Sequence, residues 1–372
     1  MQNNCKNNKK SEKFVVVDKK LIVSDGFKAE LQKKYDENSL SELVNRIVGV
    51  LEINGVPADR MLTADISLDE VNSIIDNGRV ADIITVLEKL KEVMISSVAE
   101  DIAIKMPKVV LIAGPSSSGK TTFCKKMAYA LEQQGLKPKM MSLDDYYGTL
   151  EDCPLDEHGE YDFESLYALD LKLIEDHLTR LVAGEEVTLP RYDFASASRQ
   201  WQSKPTKMDP DSILLIEGIH GLNPELTGSL ASDLLYRIYI SGSALKMGEN
   251  KHCYLSADNR LIRRMVRDYK YRGTTAQATI ERWPSVRLGE HRWIVPYQKY
   301  ANASVNTSFP YELGLLRHEA IPLLKNVTKD EPAYFEAQRL LKFVSMVHPI
   351  DVNLLPKYSI LREFLGGSGY EY

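Results

Sequence analysis

Hydrophobic positions change rhythm near residue 108. Before it they recur at helical spacing, from Leu40 to Ile53, from Leu68 to Ile75 and from Val80 to about Ala103. The second of these helices is entered through Ser67 with Glu70 three residues on, a capping-box arrangement. Two short apolar runs, Phe14–Val17 and Leu21–Val23, flank Asp18-Lys19-Lys20 and predict a small hairpin. After residue 108, near-continuous apolar runs alternate with helical stretches. Val109–Ala113, Lys139–Leu143, Ser212–Glu217 and Leu235–Ile240 read as strands, and Phe123–Leu131, closed by Gly135, reads as a helix. Strands of this kind separated by helices predict a parallel α/β sheet covered on both faces. Arg260–Asp268, Pro332–Met346 and Tyr358–Phe364 also read as helices, the last stopping at Gly366-Gly367. The expected organisation is a mostly helical N-terminal region over 1–105, an α/β core over 106–328 and a helical extension over 329–372. The Asn/Lys-rich first 13 residues read as disordered.

Composition adds exclusions. A hydrophobic fraction of 44% and a charged fraction of 27% are ordinary for a soluble globular chain. No apolar run approaches the roughly 18 residues that span a bilayer, and the polar start has no apolar signal core. Cys5, Cys124, Cys153 and Cys253 are scattered without metal-ligand spacing, which points to a reducing, cytoplasmic setting. A formal net charge of −5 gives no reason to expect a nucleic-acid partner.

The most informative stretch is Gly114-Pro115-Ser116-Ser117-Ser118-Gly119-Lys120-Thr121-Thr122. It fits G-x-x-x-x-G-K-[ST] between an apolar strand and a helix, the context in which backbone N–H groups and a helix N-terminus cradle phosphates. Gly114, Ser116, Ser117, Ser118, Gly119, Lys120, Thr121 and Thr122 are therefore the nucleotide-binding candidates, and the fold class is a P-loop NTPase-type sheet. Lys120 is expected to reach the β- and γ-phosphates, and the Thr121 hydroxyl to ligate Mg²⁺. Asp144 and Asp145, followed by Tyr146 and Tyr147, emerge at the end of the second strand, where ligands bind in α/β sheets. A carboxylate there suits a proton acceptor for a substrate hydroxyl or a holder of a magnesium water. Glu217, after four apolar residues, stands where such enzymes keep a magnesium carboxylate. Arg260, Arg263, Arg264 and Arg267 fall at i, i+3, i+4 and i+7, so one helix face carries cations suited to a transferring phosphoryl group. No N-K-x-D guanine-reading motif is present.

Together these pieces resemble the phosphoribulokinase/uridine kinase family over about residues 108–328. The P-loop, Ser142–Tyr147, Tyr161-Asp162-Phe163, Leu189-Pro190-Arg191-Tyr192-Asp193-Phe194, Ile216–Leu222 and Arg260–Asp268 occur in the family's order. The resemblance implies ATP and Mg²⁺ as cofactors and a small-molecule acceptor, a nucleoside or polyol. It maps activation of the acceptor hydroxyl onto Asp144, ribose contact onto Asp162, and base contact onto Tyr192 and Phe194. Tyr147 and Arg272 stand beside the acceptor, Glu217 takes the magnesium role, and Arg260, Arg263 and Arg264 belong to a lid over about 257–293. Family members are often dimers or tetramers, which extends to this chain as an expected homo-oligomer. Two positions depart from the pattern. Ala197 replaces a pyrimidine-reading histidine, and Thr274 follows Arg272-Gly273 where an arginine is usual. They leave open a sugar, inositol or sugar phosphate as acceptor, or a nucleotide-responsive scaffold on a kinase fold. The closing Ser359–Ser368 looks like a longer bacterial branch of the family.

Overall fold

The computed structural model describes residues 14–17, 20–23, 68–157, 159–193, 196, 198–242 and 255–371. The expected disordered leader, the Leu40–Ile53 helix, the Ser67 cap, Phe194 and Ala197 lie outside the described residues. Strands β1 (Phe14–Val17) and β2 (Lys20–Val23) pair antiparallel as the expected hairpin. Helices α1 (Leu68–Asp76) and α2 (Val80–Lys105) follow, each within two residues of its expected span or slightly longer.

The core sheet begins with β3 (Val109–Ala113), all five residues buried, and continues through α3 (Lys120–Gln133) to β4 (Lys137–Ser142). Helix α4 (Leu171–Val182) precedes a separate antiparallel hairpin of β5 (Pro190–Asp193) and β6 (Ser198–Trp201). Strands β7 (Ser212–Glu217) and β8 (Leu235–Ser241) return to the sheet. Helices α5 (Leu255–Arg272) and α6 (Ala276–Trp293) then lead to an edge strand, β9 (Ala303–Asn306). Helices α7 (Glu312–Lys325), α8 (Tyr334–Ser345) and a single turn, α9 (Arg362–Leu365), complete the described chain.

The sheet order is β4-β7-β3-β8-β9, and every neighbouring pair is parallel. Alternate residues of β3 feed opposite cores. Val110 and Ile112 join a cluster with α2, α3, α5 and α7, whereas Val109 and Leu111 pack with Ile174, Leu178 and Leu181 of α4. Both faces are thus covered, as expected of a parallel sheet whose crossovers are helices. The first of these clusters runs without a break from α2 into the sheet and on to Phe364 and Leu365.

One expected helix is corrected. Tyr358–Phe364 does not form a continuous helix: turns lead into α9, which spans Arg362–Leu365 only. Its apolar residues are not a helical stripe, because Ile360, Leu361, Phe364 and Leu365 are all buried as the segment wraps into the core. No helix of the described residues is long and apolar enough to cross a membrane.

Candidate active site

The register of the sheet assembles the site. Glu217 at the end of β7 lies between Ile112 of β3 and Ser142 of β4, so the loops leaving all three strands open on one edge. The loop after β3 turns directly into α3. A Cβ on Gly114 would stand 2.1 Å from the Ile240 carbonyl oxygen, so only glycine lets the loop leave β3 past β8. Gly119 has φ +82°, in the left-handed region that glycine adopts without strain, and sets the first turn of α3. Ser117 also has positive φ, at 58°. Its hydroxyl and that of Ser118 are buried with no hydrogen-bond partner among the described residues. Orphaned hydroxyls in the loop that leads into a helix N-terminus fit an oxyanion ligand such as a polyphosphate.

These elements line a cleft of about 560 Å³. Ser116, Ser117, Gly119, Lys120 and Thr121 form one wall, and Asp144, Asp145, Tyr147, Phe163 and Tyr192 another. Lys120 Nζ folds onto the Pro115 carbonyl at 3.1 Å. Burial lowers its pKa, against the pull of Glu217, Asp144 and Glu363. Glu217 accepts a hydrogen bond from the Ser142 hydroxyl at 2.7 Å. Burial, reinforced by the charge of Asp144, raises its pKa to about 7. The Lys120 ammonium opposes that rise. Among the described residues no three His, Cys, Asp or Glu side chains converge as a metal cage. Thr121 and Glu217 both line the cleft, and their oxygens are of the kind that could hold a magnesium ion keeping mostly phosphate and water ligands.

The paired aspartates separate by partner. Asp145 accepts the backbone N–H of Tyr192 at 3.0 Å and so fixes the β5–β6 hairpin beside the cleft. Asp144 accepts no hydrogen bond from any described residue and faces the same cleft as Lys120. Tyr147 donates to the Phe163 carbonyl at 2.9 Å. Its ring lies 5.7 Å from that of Tyr192 and 6.3 Å from that of Phe163, forming an aromatic corner. The Arg282 guanidinium sits 5.1 Å over the Phe163 ring.

Not every expected residue comes to this cleft. Asp162 lines a neighbouring one of about 800 Å³ and accepts the Glu164 N–H at 3.2 Å; Arg264, Arg272 and Arg282 border both clefts. Arg264 donates to the Ser116 hydroxyl at 2.9 Å. Arg260 and Arg263 turn inward instead. Arg260 pairs with Glu290 at 2.8 Å and donates to the Ser116 carbonyl at 3.3 Å. Arg263 is fully buried, holds Glu312 through two bonds of 2.9 and 2.5 Å, and reaches the Ser117 carbonyl at 3.4 Å. These two arginines brace the phosphate loop from behind rather than line the cleft.

Arg267, at the i+7 position of the cationic face, lines the cleft as that spacing predicts, and Phe163 and Arg191 come to it from the motifs that carry them. Glu164 and Glu363 line it with no role expected from sequence, and Glu363 could not be foreseen because it arrives from 241 residues beyond Thr122.

The model of the "Phosphoribulokinase / Uridine kinase family" matches residues 109–310. The uridine kinase of Anoxybacillus flavithermus is 30% identical over 199 residues, covering 53% of this chain and 85% of that protein. That of Halalkalibacterium halodurans is 27% identical over 202 residues, covering 54% and 86%. The phosphoribulokinase structure from Rhodobacter spheroides shares 18% identity and a TM-score of 0.34, over 53% of this chain and 69% of that one. With the family model matching more than half of its length, this chain belongs to the phosphoribulokinase/uridine kinase family.

Proposed function

We propose that this protein transfers the γ-phosphate of ATP to a hydroxyl of a nucleoside or similar polyol, with Mg²⁺ required. The observation that carries the reading is Asp144, a carboxylate unclaimed by any described hydrogen-bond donor, in one cleft with Lys120. Phosphoryl transfer asks a protein mainly for positioning and charge stabilisation. Asp144 would accept the proton of the acceptor hydroxyl and orient it, while Lys120, Arg264, Arg267 and Arg272 would face the phosphate oxygens. Thr121 and Glu217 would hold the magnesium directly or through water. Bound there, the ion neutralises charge on the phosphates. Tyr147, Phe163 and Tyr192 offer flat apolar surface to a base or ring, and Asp162 belongs to this set only if the acceptor reaches the neighbouring cleft.

Uridine kinase relatives favour a nucleoside 5′-hydroxyl. A second reading, an acceptor that already carries an anionic group, draws on Arg282 over Phe163 and on Arg191 at the same wall. The test is ADP release from ATP and Mg²⁺ over uridine, cytidine, adenosine, ribose, ribulose 5-phosphate and myo-inositol, with Asp144→Asn as blank. Turnover on a nucleoside supports the first reading, and turnover on the sugar phosphate alone supports the second. ATP binding without turnover on any acceptor would leave a nucleotide-responsive scaffold.

A further inference from the structure

The first turn of α3 carries N–H groups with no partner inside the helix, and in a phosphate loop these are the groups that serve the ligand. One of them is already engaged. Thr122 N–H donates to Glu363 Oε2 at 3.2 Å, and the Thr122 hydroxyl donates to the same oxygen at 2.6 Å. Glu363 lines the cleft together with Lys120, Asp144 and Glu217, and its charge acts on both Lys120 and Glu217.

The carboxylate is built in rather than resting on the surface. Its neighbour Phe364 is buried with the Arg263 guanidinium 5.0 Å over its ring. Arg362 donates to the carbonyls of Leu355 at 2.6 Å and Val352 at 3.0 Å, and Lys270 to that of Leu365 at 2.6 Å. Ile360 packs so tightly on the phosphate loop that a Cβ on Gly119 would come within 2.6 Å of its Cγ2. Moving Glu363 away as a unit would break all of these contacts, so only its side chain can yield.

Backbone N–H groups of this loop type cradle the α- and β-phosphates, while the lysine reaches the β- and γ-phosphates. Thr122 follows Lys120 and Thr121 into the helix, at the α end of that cradle. On the reading that the cleft binds a nucleotide, we infer that Glu363 is a specificity-determining residue of the donor site. Its carboxylate holds the two Thr122 donors that an α-phosphate needs and repels that phosphate. A polyphosphate that fills only the β and γ positions does not meet it. A nucleotide must displace it, and the site discriminates between the two.

The experiment is calorimetric titration of the full chain and of Glu363→Gln with ADP, a non-hydrolysable ATP analogue and inorganic pyrophosphate, each with Mg²⁺. Glutamine keeps the shape and removes the charge, so both nucleotides should bind about tenfold tighter once the repulsion between near charges is gone. Pyrophosphate affinity should change by less than about threefold on the same argument. If Glu363→Gln does not fold, Glu363→Asp withdraws the carboxylate from Thr122 and should tighten nucleotide binding in the same direction. Equal or weaker nucleotide binding in the folded variant would overturn the inference. So would equal tightening for nucleotide and pyrophosphate, which would mark a general charge effect. Failure of the unaltered protein to bind any of the three would overturn the kinase reading and this inference with it.

Discussion

Two adjacent residues of one type have different tasks here, and a single contact separates them. Asp145 is spent on the Tyr192 N–H, and burial raises its pKa, opposed by that hydrogen bond. Asp144, one position earlier, turns toward Lys120 and Glu217. Asp144→Asn should therefore lower kcat by roughly 10²-fold, the scale of a positioned general base, with little change in ATP affinity. Asp145→Asn should act mainly on acceptor KM, since what it loosens is the hairpin beside the aromatic corner. Steady-state kinetics of the two variants side by side would check this, and equal kcat losses would dissolve the distinction. The motif Asp144-Asp145-Tyr146-Tyr147 announces chemistry but cannot say which carboxylate is free. That depends on an N–H donor 47 residues away.

At the scale of elements, α5 shows how a correct periodicity leaves function undecided. Its arginines do share a face, yet that face is divided by what packs over it. Glu290 of α6 and Glu312 of α7, which lie 30 and 49 residues on from their partners, claim Arg260 and Arg263. Arg264 and Arg267 keep to the cleft. Arg263→Ala takes the guanidinium from the buried Glu312 carboxylate, leaving it the Asn259 amide and the Phe309 N–H at 2.8 Å, and should cost about 3–5 kcal/mol of stability. Arg264→Ala loses part-buried pairs with Asp268 at 3.3 Å and Glu164 at 3.9 Å, but Asp268 keeps Arg267 at 2.7 Å. The variant should therefore lose less stability than Arg263→Ala, while kcat falls by roughly 10²-fold, as for loss of one transition-state donor. Thermal melts and turnover on both variants test the division, and the reverse pattern would return Arg263 to the reaction. The same logic explains which elements were legible. Strands β3 and β7 are apolar runs buried almost throughout, and β8 alternates buried with half-buried positions, patterns that their sequences show. Strand β9 is a four-residue edge, and α6 carries Pro284 inside it, so neither announces itself. The strap before Gly366 reads as a helix because burial on all sides mimics an apolar stripe.

Across the whole molecule, the helix α2, which lies outside the residues matched by the family model, is wired to the phosphate loop. Lys91 Nζ donates to the carbonyls of Asn306 and, at 3.4 Å, Ser308. Between those two residues, Thr307 contacts the Ser118 carbonyl and receives a bond from Arg263. Glu88, one turn before Lys91, bonds Tyr311 at 3.2 Å and also the strap residue Ser359. The charges facing Lys91 are thus Glu88, Glu312 and Arg263. Burial first, and then Arg263, lower the pKa of Lys91 from 10.5 to about 7 against the pull of the two carboxylates. The sign of the resulting pH dependence is fixed. Between about pH 7 and 10.5 the unfolded chain keeps a proton on Lys91 that the folded chain has released, so this group adds stability as pH rises through that window. Below about pH 7 it is charged in both states and adds no slope. Lys91→Met removes the titration at similar volume. The stability of the unaltered protein minus that of the variant should climb by up to about 1.4 kcal/mol per pH unit across the alkaline window. Urea unfolding at about pH 7.5, 8.5 and 9.5, values chosen inside that window, reads this difference directly. A flat difference would mean that Lys91 stays charged in the folded chain, and that its hold on the loop is an ion pair with Glu88 and Glu312 rather than a neutral donor reaching two carbonyls.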